Sequence, residues 1–275
     1  MKKITAIILL SCISLFVSSQ ALDTIYTNNQ KIACSVKEVG QDAITYVYPG
    51  EDVINSVYKN AIQKIVFKSG RVQTFAEATS YKTVGGVTDY DNVTLTSVEG
   101  EVKGLFKLGD VSSKARGTTT LSSMEKVKER ANKKMKIVGA MMGANIIYLT
   151  QNNTTENHAG TQYQAGKATS TNLSGVAYSN KLPSYDDFQK IVGDKTLFTV
   201  YDKVELGGSD ADYDEKTITK TMQLTKLYNE SGLIMVTAKI DGINNDTFRV
   251  VSFSSDGFTL VWKDGDTIYN FKVKI

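Results

Sequence analysis

The last twenty residues read DGFTLVWKDGDTIYNFKVKI, Asp256 to Ile275, and they decide the class of the fold. Phe258, Leu260 and Trp262 alternate with Thr259, Val261 and Lys263, and a period of two is the pattern of a strand with one inward face. Asp256-Gly257 and Asp264-Gly265 bound the run, and such steps supply the positive-φ residues that a two-residue hairpin turn needs. The same texture continues upstream. Strand-like runs cover 196–206, 217–228, 233–241, 247–254, 258–263 and 267–275, with Asn229-Glu230-Ser231-Gly232 and Asp241-Gly242 between them. Six such runs in eighty residues predict a β-meander forming a small or partial barrel or a curved sheet.

Ahead of the meander, 184–192 predicts a short helix, with Ser184 to cap it and Gly193 to close it. Lys181-Leu182-Pro183 reads as a linker, because proline cannot continue a central strand. Residues 83–180 read as an α+β domain. A strand is expected over 93–108 and a long helix over 122–142, started by a Ser122/Glu125 capping box. Leu121, Met124, Val127, Ala131, Met135, Val138 and Met142 recur at three and four, forming one apolar stripe. Gly143 ends the helix, 145–150 is a buried strand, 151–160 a hairpin loop, and 161–179 holds further strands. Residues 22–82 read as a small β domain, in which Ile44, Tyr46 and Tyr48 alternate with Thr45 and Val47. The expected class is α+β, predominantly antiparallel β, in three small modules; the last is lipocalin-like in texture but short of eight strands.

Two stretches resemble known families. Asp23-Thr24-Ile25-Tyr26 through Ile62-Gln63-Lys64-Ile65-Val66-Phe67 resembles a small β module found at the start of exported Bacteroidetes proteins. That resemblance implies an exported bacterial protein and no activity. Gly143-Ala144-Asn145-Ile146 and Gly175-Val176-Ala177-Tyr178 resemble the small strand-helix-strand-strand domain with a Gly-Ala-Asn motif. This domain occurs in the heavy-metal-binding small-domain family and in envelope stress-sensor lipoproteins. The disulfide cysteines of the latter have no counterpart here, and no cysteine lies near the motif to support a metal.

The chemistry-bearing inventory is thin: one His and two Cys in 275 residues. One His excludes a two-His zinc site, and two Cys exclude a four-cysteine site. The first 21 residues read as an export signal, with Lys2 and Lys3 ahead of an apolar run from Ile4 to Val17 and Ser19-Gln20-Ala21 as the cleavage site. Leu9-Leu10-Ser11-Cys12 is the lesser alternative, a lipidation site. Cleavage would remove Cys12 and leave Cys34 as the only thiol, with 30 basic side chains against 29 acidic ones. That near-neutral balance argues against nucleic acid as a partner. No later run is long and apolar enough to span a membrane.

Each remaining candidate has a plain reading beside its functional one. His158, in the polar run 151–160, reads as a solvated loop residue. Cys34 shares a strand face with Ile32 and Val36 and reads as an inert core thiol. Asp210, Asp212 and Asp214 are spaced like calcium ligands, but Glu215 and Thr221 stand where an EF-hand would place its glycine and its bidentate glutamate. An acidic hairpin tip is the simpler reading. The cations between Lys126 and Lys136 read as a solvated helix face, paired with Glu125 and Glu129.

The sequence therefore points to a periplasmic or envelope-associated protein, non-catalytic and without cofactor or metal. It would act in binding or protein interaction, its partner an envelope protein or a small apolar ligand. The alternative is a carrier of a small apolar ligand, with Phe198, Tyr201, Phe248, Phe253 and Trp262 lining the C-terminal sheet. A carboxylate-dependent hydrolase ranks last, since it requires two carboxylates facing each other across a cleft.

Overall fold

The computed structural model describes residues 21–27, 30–75, 81–119, 121–160, 162–163 and 165–275. The expected export signal, apart from its last residue Ala21, lies outside the described residues, and so does Cys12. The chain divides into two compact units, Met1–Phe75 and Ala76–Ile275.

The first unit is an antiparallel sheet of six strands, β1 (Asp23–Thr27), β2 (Lys31–Val39), β3 (Ala43–Val47), β4 (Asn55–Tyr58), β5 (Ile62–Val66) and β6 (Val72–Thr74). Their spatial order is β4-β3-β2-β1-β5-β6. Ile25, Ile32, Cys34, Ile44, Tyr46, Ile62 and Ile65 form its core. Asp23 is buried, yet its carboxylate accepts the backbone N–H of Val36 at 2.9 Å and of Lys68 at 2.7 Å. Two charge-assisted bonds offset the cost of burying that charge.

The second unit begins with a four-stranded sheet in the order β7-β9-β10-β8. Its strands are β7 (Thr94–Thr96), β8 (Phe106–Arg116), β9 (Ile146–Thr155) and β10 (Ser170–Ser179). Only the β7–β9 pairing is parallel. The expected strand over 93–108 is instead a three-residue strand and a 3-10 turn at Glu99–Val102, and the long strand starts at Phe106. β9 runs on to Thr155, through what reads as loop, because β10 supplies a partner for every residue from Gly175 back to Ser170.

Helix α1 (Met124–Met141) lies on this sheet. The capping box does not form: Ser123 is the N-cap and makes no side-chain cap bond, while the Ser122 hydroxyl accepts the N–H of Thr119. Leu121 is exposed and outside the helix. The stripe itself is correct, with Val127, Ala131, Met135 and Val138 buried. Helix and sheet approach closely at glycine. A Cβ on Gly139 would stand 2.7 Å from Ile147 Cδ1; within the sheet, one on Gly175 of β10 would stand 2.4 Å from the Tyr148 carbonyl oxygen of β9. Gly143, at φ +73°, turns the chain out of the helix.

The remaining strands are β11 (Leu197–Leu206), β12 (Asp214–Glu230), β13 (Leu233–Ile240), β14 (Thr247–Phe253), β15 (Gly257–Asp264) and β16 (Thr267–Lys274). They form a closed barrel, since β11 pairs with both β12 and β16. Of the expected forms, the sheet takes that of the small barrel rather than the partial barrel or the open curved sheet. The six strands suffice because bulges at Val200/Asp202, Leu224/Lys226 and Val250/Ser252 bend them. Helix α2 (Tyr185–Val192) packs with the barrel interior: Phe188 is fully buried, 5.2 Å from the rings of both Phe253 and Phe258.

Sheet, helix and barrel share one core. Val204, Leu206, Val261 and Ile268, on the outer wall of the barrel, are buried with Ala131, Met135 and Met141 of α1 and with Leu173 and Ala177 of β10. Leu182, in the expected linker, is buried in the same cluster.

Candidate functional site

The five aromatic residues expected around a ligand do not surround one space. Phe198 and Phe248 point into the barrel and are buried. Phe198 packs against Phe258 at 5.5 Å, and Phe248 against Phe271 at 6.0 Å. Phe253 is half-buried against Phe188 of α2. Trp262 is half-buried at an edge of the same interior, stacked on Tyr269 at 4.9 Å. Tyr201 is exposed, because Phe198 and Val200 face inward and the alternation along β11 puts residue 201 on the outer face. Phe188, which sequence periodicity does not tie to the meander, joins these rings, Tyr201 excepted, in a single packed cluster.

The acidic run is also split among separate partners. Asp210 accepts the N–H of Gly207 at 2.9 Å, Asp212 pairs with Lys133 of α1, and Asp214 pairs with Lys216. Among the described residues no three His, Cys, Asp or Glu side chains stand close enough to hold a metal ion. His158 is exposed, its backbone bridged to Lys167. Cys34 is fully buried, and burial pushes its thiol up to about 11.

The notable cavity lies outside the barrel. A cleft of about 610 Å³ opens where the end of β8, one face of α1 and two barrel loops meet. β8 contributes Lys114 and Arg116, α1 contributes Arg130 and Lys134, and the loops contribute Gly208, Asp210 and Asp266. Its size is within the range of small-molecule sites.

Lys134 organises this cleft. It is buried, and its ammonium donates to the carbonyl oxygens of Gly207 at 2.9 Å, Gly208 at 2.7 Å and Asp210 at 2.8 Å. An ammonium has three donors, so the group is saturated and the loop is fixed by it. Burial pulls its pKa down, against the opposing pull of Asp210 and Asp266. The expected solvated face is therefore corrected at this residue. Lys134 falls three residues after Ala131 and four before Val138, on the apolar stripe itself, and that spacing is the signal that marks it.

The other cations of the face differ in their commitments. Lys133 is taken by Asp212, and that hydrogen bond holds its pKa above the usual lysine value. Arg130 donates from Nη2 to the Arg116 carbonyl at 3.1 Å and from Nε to the Lys126 carbonyl at 3.4 Å. Its guanidinium is thereby pinned at the cleft wall with donors to spare. Among the described residues, Lys114, Arg116 and Arg130 pair with no carboxylate.

Two carboxylates, Asp210 and Asp266, share the cleft, which is the minimum that hydrolysis would require. Both are exposed and both face cations, whereas a general acid is made by burial away from positive charge. Asp210 is moreover turned back onto Gly207. Among the described residues no helix is long and apolar enough to cross a membrane. Compared with family models, with curated proteins and with solved structures, the chain finds no match.

Proposed function

We propose that this is an exported, non-catalytic binding protein of the bacterial cell envelope, and that the cleft between α1, β8 and the barrel loops is its recognition site. The observation that carries the reading is the Lys134 ammonium bound to three carbonyl oxygens of one cleft wall. A wall fixed in advance loses little freedom on binding, which is what a recognition site requires. The packed aromatic interior of the barrel supports the cleft over the barrel as the place where a ligand sits.

The site is tested by titrating a panel of small polar metabolites into isotope-labelled protein. Binding here shifts the backbone signals of 114–116 and 207–211, and Ala211→Trp, which fills the cleft, abolishes the shifts. A panel member that binds equally well to Ala211→Trp overturns the assignment. Export is tested separately, by fractionating expressing cells and finding Leu22 as the first residue of the envelope form.

A further inference from the structure

We infer that the cleft takes a small anion carrying hydroxyl groups, of the class of a phosphorylated or carboxylated sugar. This rests on the reading of the cleft as a recognition site and names its ligand chemistry.

The anionic end follows from the uncommitted cations. Lys114, Arg116 and Arg130 line one side, and none has a carboxylate partner among the described residues. Asp212, the acid that might have neutralised this side, is held by Lys133. The backbone bonds of Arg130 set its guanidinium plane before a ligand arrives. A planar fork fixed in this way suits the paired oxygens of a carboxylate or phosphate.

The hydroxyl end follows from the opposite side. Asp266 lines the cleft and acts on the Lys134 ammonium at a distance, but among the described residues no side chain hydrogen-bonds or ion-pairs with its carboxylate. A carboxylate offers only acceptors, so a ligand group seated against it and displacing its water must be a donor. That donor could be a hydroxyl or an ammonium, and the local charge decides between them. Four cations stand in the cleft against two carboxylates. A second positive group on the ligand would enter a positive field, whereas a neutral hydroxyl enters without that cost. Lys134 adds to this field but not to the contacts, because its three donors are occupied.

Calorimetric titration of the full chain tests this with four probes: glucose 6-phosphate, glucuronate, inorganic phosphate and glucose. Saturable binding of glucose 6-phosphate or glucuronate is expected, with glucose failing to saturate and inorganic phosphate at least tenfold weaker. The stronger of the two sugar anions identifies the phosphate or the carboxylate as the recognised group. Arg116→Gln with Arg130→Gln should weaken that probe at least tenfold, and Asp266→Asn should weaken it while leaving inorganic phosphate unchanged. All three positions are exposed, and an unchanged melting temperature confirms that the variants fold. Glucose binding as tightly as glucose 6-phosphate overturns the inference, as does full affinity in the double arginine variant. If no anion binds but neutral metabolites still shift 114–116 and 207–211, the ligand class falls and the recognition site stands. If neither group of compounds produces shifts there, both fall.

Discussion

Asn270, on the outer face of β16, donates its side-chain amide to the carbonyl of Met141, the last residue of α1, at 2.9 Å. Arg249 of β14 does the same for the next carbonyl, Met142, at 2.8 Å. The last carbonyls of a helix have no partner within it, so two barrel strands supply what α1 lacks. Burial pushes the Arg249 guanidinium down to about 10, which still leaves it a cation at any physiological pH. Positive charge at a helix C-terminus is itself favourable.

Asn270→Ala strips a buried carbonyl of its donor, and a loss of about 1–3 kcal/mol is expected. Because α1 shares its core with both the sheet and the barrel wall, the loss should register everywhere in the second unit. Trp262, the single tryptophan, reports the barrel, and far-UV circular dichroism reports α1. Both probes should move to the same lower denaturation midpoint. Separate midpoints would mean that sheet and barrel do not unfold together. Arg249→Met should act on the same helix end, so the double variant should cost less than the two single changes added.

Lys134→Met keeps the aliphatic stem and removes the ammonium. The carbonyl oxygens of Gly208 and Asp210 then lose the ammonium's donors, while that of Gly207 keeps the Asp210 N–H at 3.1 Å. Relief of a buried charge offsets part of this, so a net loss of about 2 kcal/mol is expected. The local effect should exceed the global one: amide exchange across 207–211 should accelerate more than exchange in β15 or β16. Lys134→Arg should not rescue the loop, because a planar fork cannot address three converging carbonyls as a compact ammonium does. Wild-type exchange in either variant would show that the loop holds itself.

The difference between Lys134 and its neighbours explains what could be read from the sequence. Hairpins were legible because Asp241-Gly242 and Asp264-Gly265 encode positive φ locally. Gly232, with Ser231 at φ 52°, makes the same kind of turn in the run that separates β12 from β13. The stripe on α1 was legible because period and burial coincide. Barrel closure was not, since it depends on β11 meeting β16, about seventy residues on, and on bulges that no single strand announces. The cleft was least legible of all. It joins 114–116, 130–134, 207–211 and 266, four stretches that each read as ordinary polar surface. Only Lys134 carried a local mark, a charge on an apolar stripe. The aromatic list failed at Tyr201 because that residue stands three after Phe198, and a period of two puts it on the opposite, outer face of β11.

Two closely packed glycines, Gly139 where helix meets sheet and Gly175 where β10 meets β9, should respond unequally to the same change. In Gly139→Ala the new methyl meets the end of the Ile147 side chain at 2.7 Å, and that chain can rotate aside. The better helix propensity of alanine returns about 1 kcal/mol, so a net cost near 1 kcal/mol is expected. In Gly175→Ala the methyl meets the Tyr148 carbonyl oxygen at 2.4 Å, a backbone atom fixed in the β9–β10 ladder. Overpacking against backbone should cost about 3 kcal/mol. Equal shifts of the denaturation midpoint would mean that β9 yields as readily as a side chain.

The first unit should lose stability in alkali through Cys34. Its thiol has an ordinary value of 9.0, and burial, with the Asp23 carboxylate adding to it, pushes it up to about 11 in the fold. Between those values the folded chain keeps a proton that the unfolded chain has released. Stability then falls as pH rises: the contribution is complete below pH 9 and gone above pH 11. A two-unit displacement corresponds to at most about 2.7 kcal/mol. Tyr46, pushed up to about 12 chiefly by burial, extends the decline in the same direction and supplies a background. Cys34→Ala separates the two, since it removes the thiol and leaves the tyrosine. Urea titrations followed by the methyl signals of Ile25 and Ile44 should show the wild type losing about 2 kcal/mol more than Cys34→Ala between pH 8.5 and 11. Parallel losses in the two proteins would place the alkaline sensitivity elsewhere. The same burial predicts that a thiol reagent at pH 8 modifies Cys34 only at the rate at which the first sheet opens.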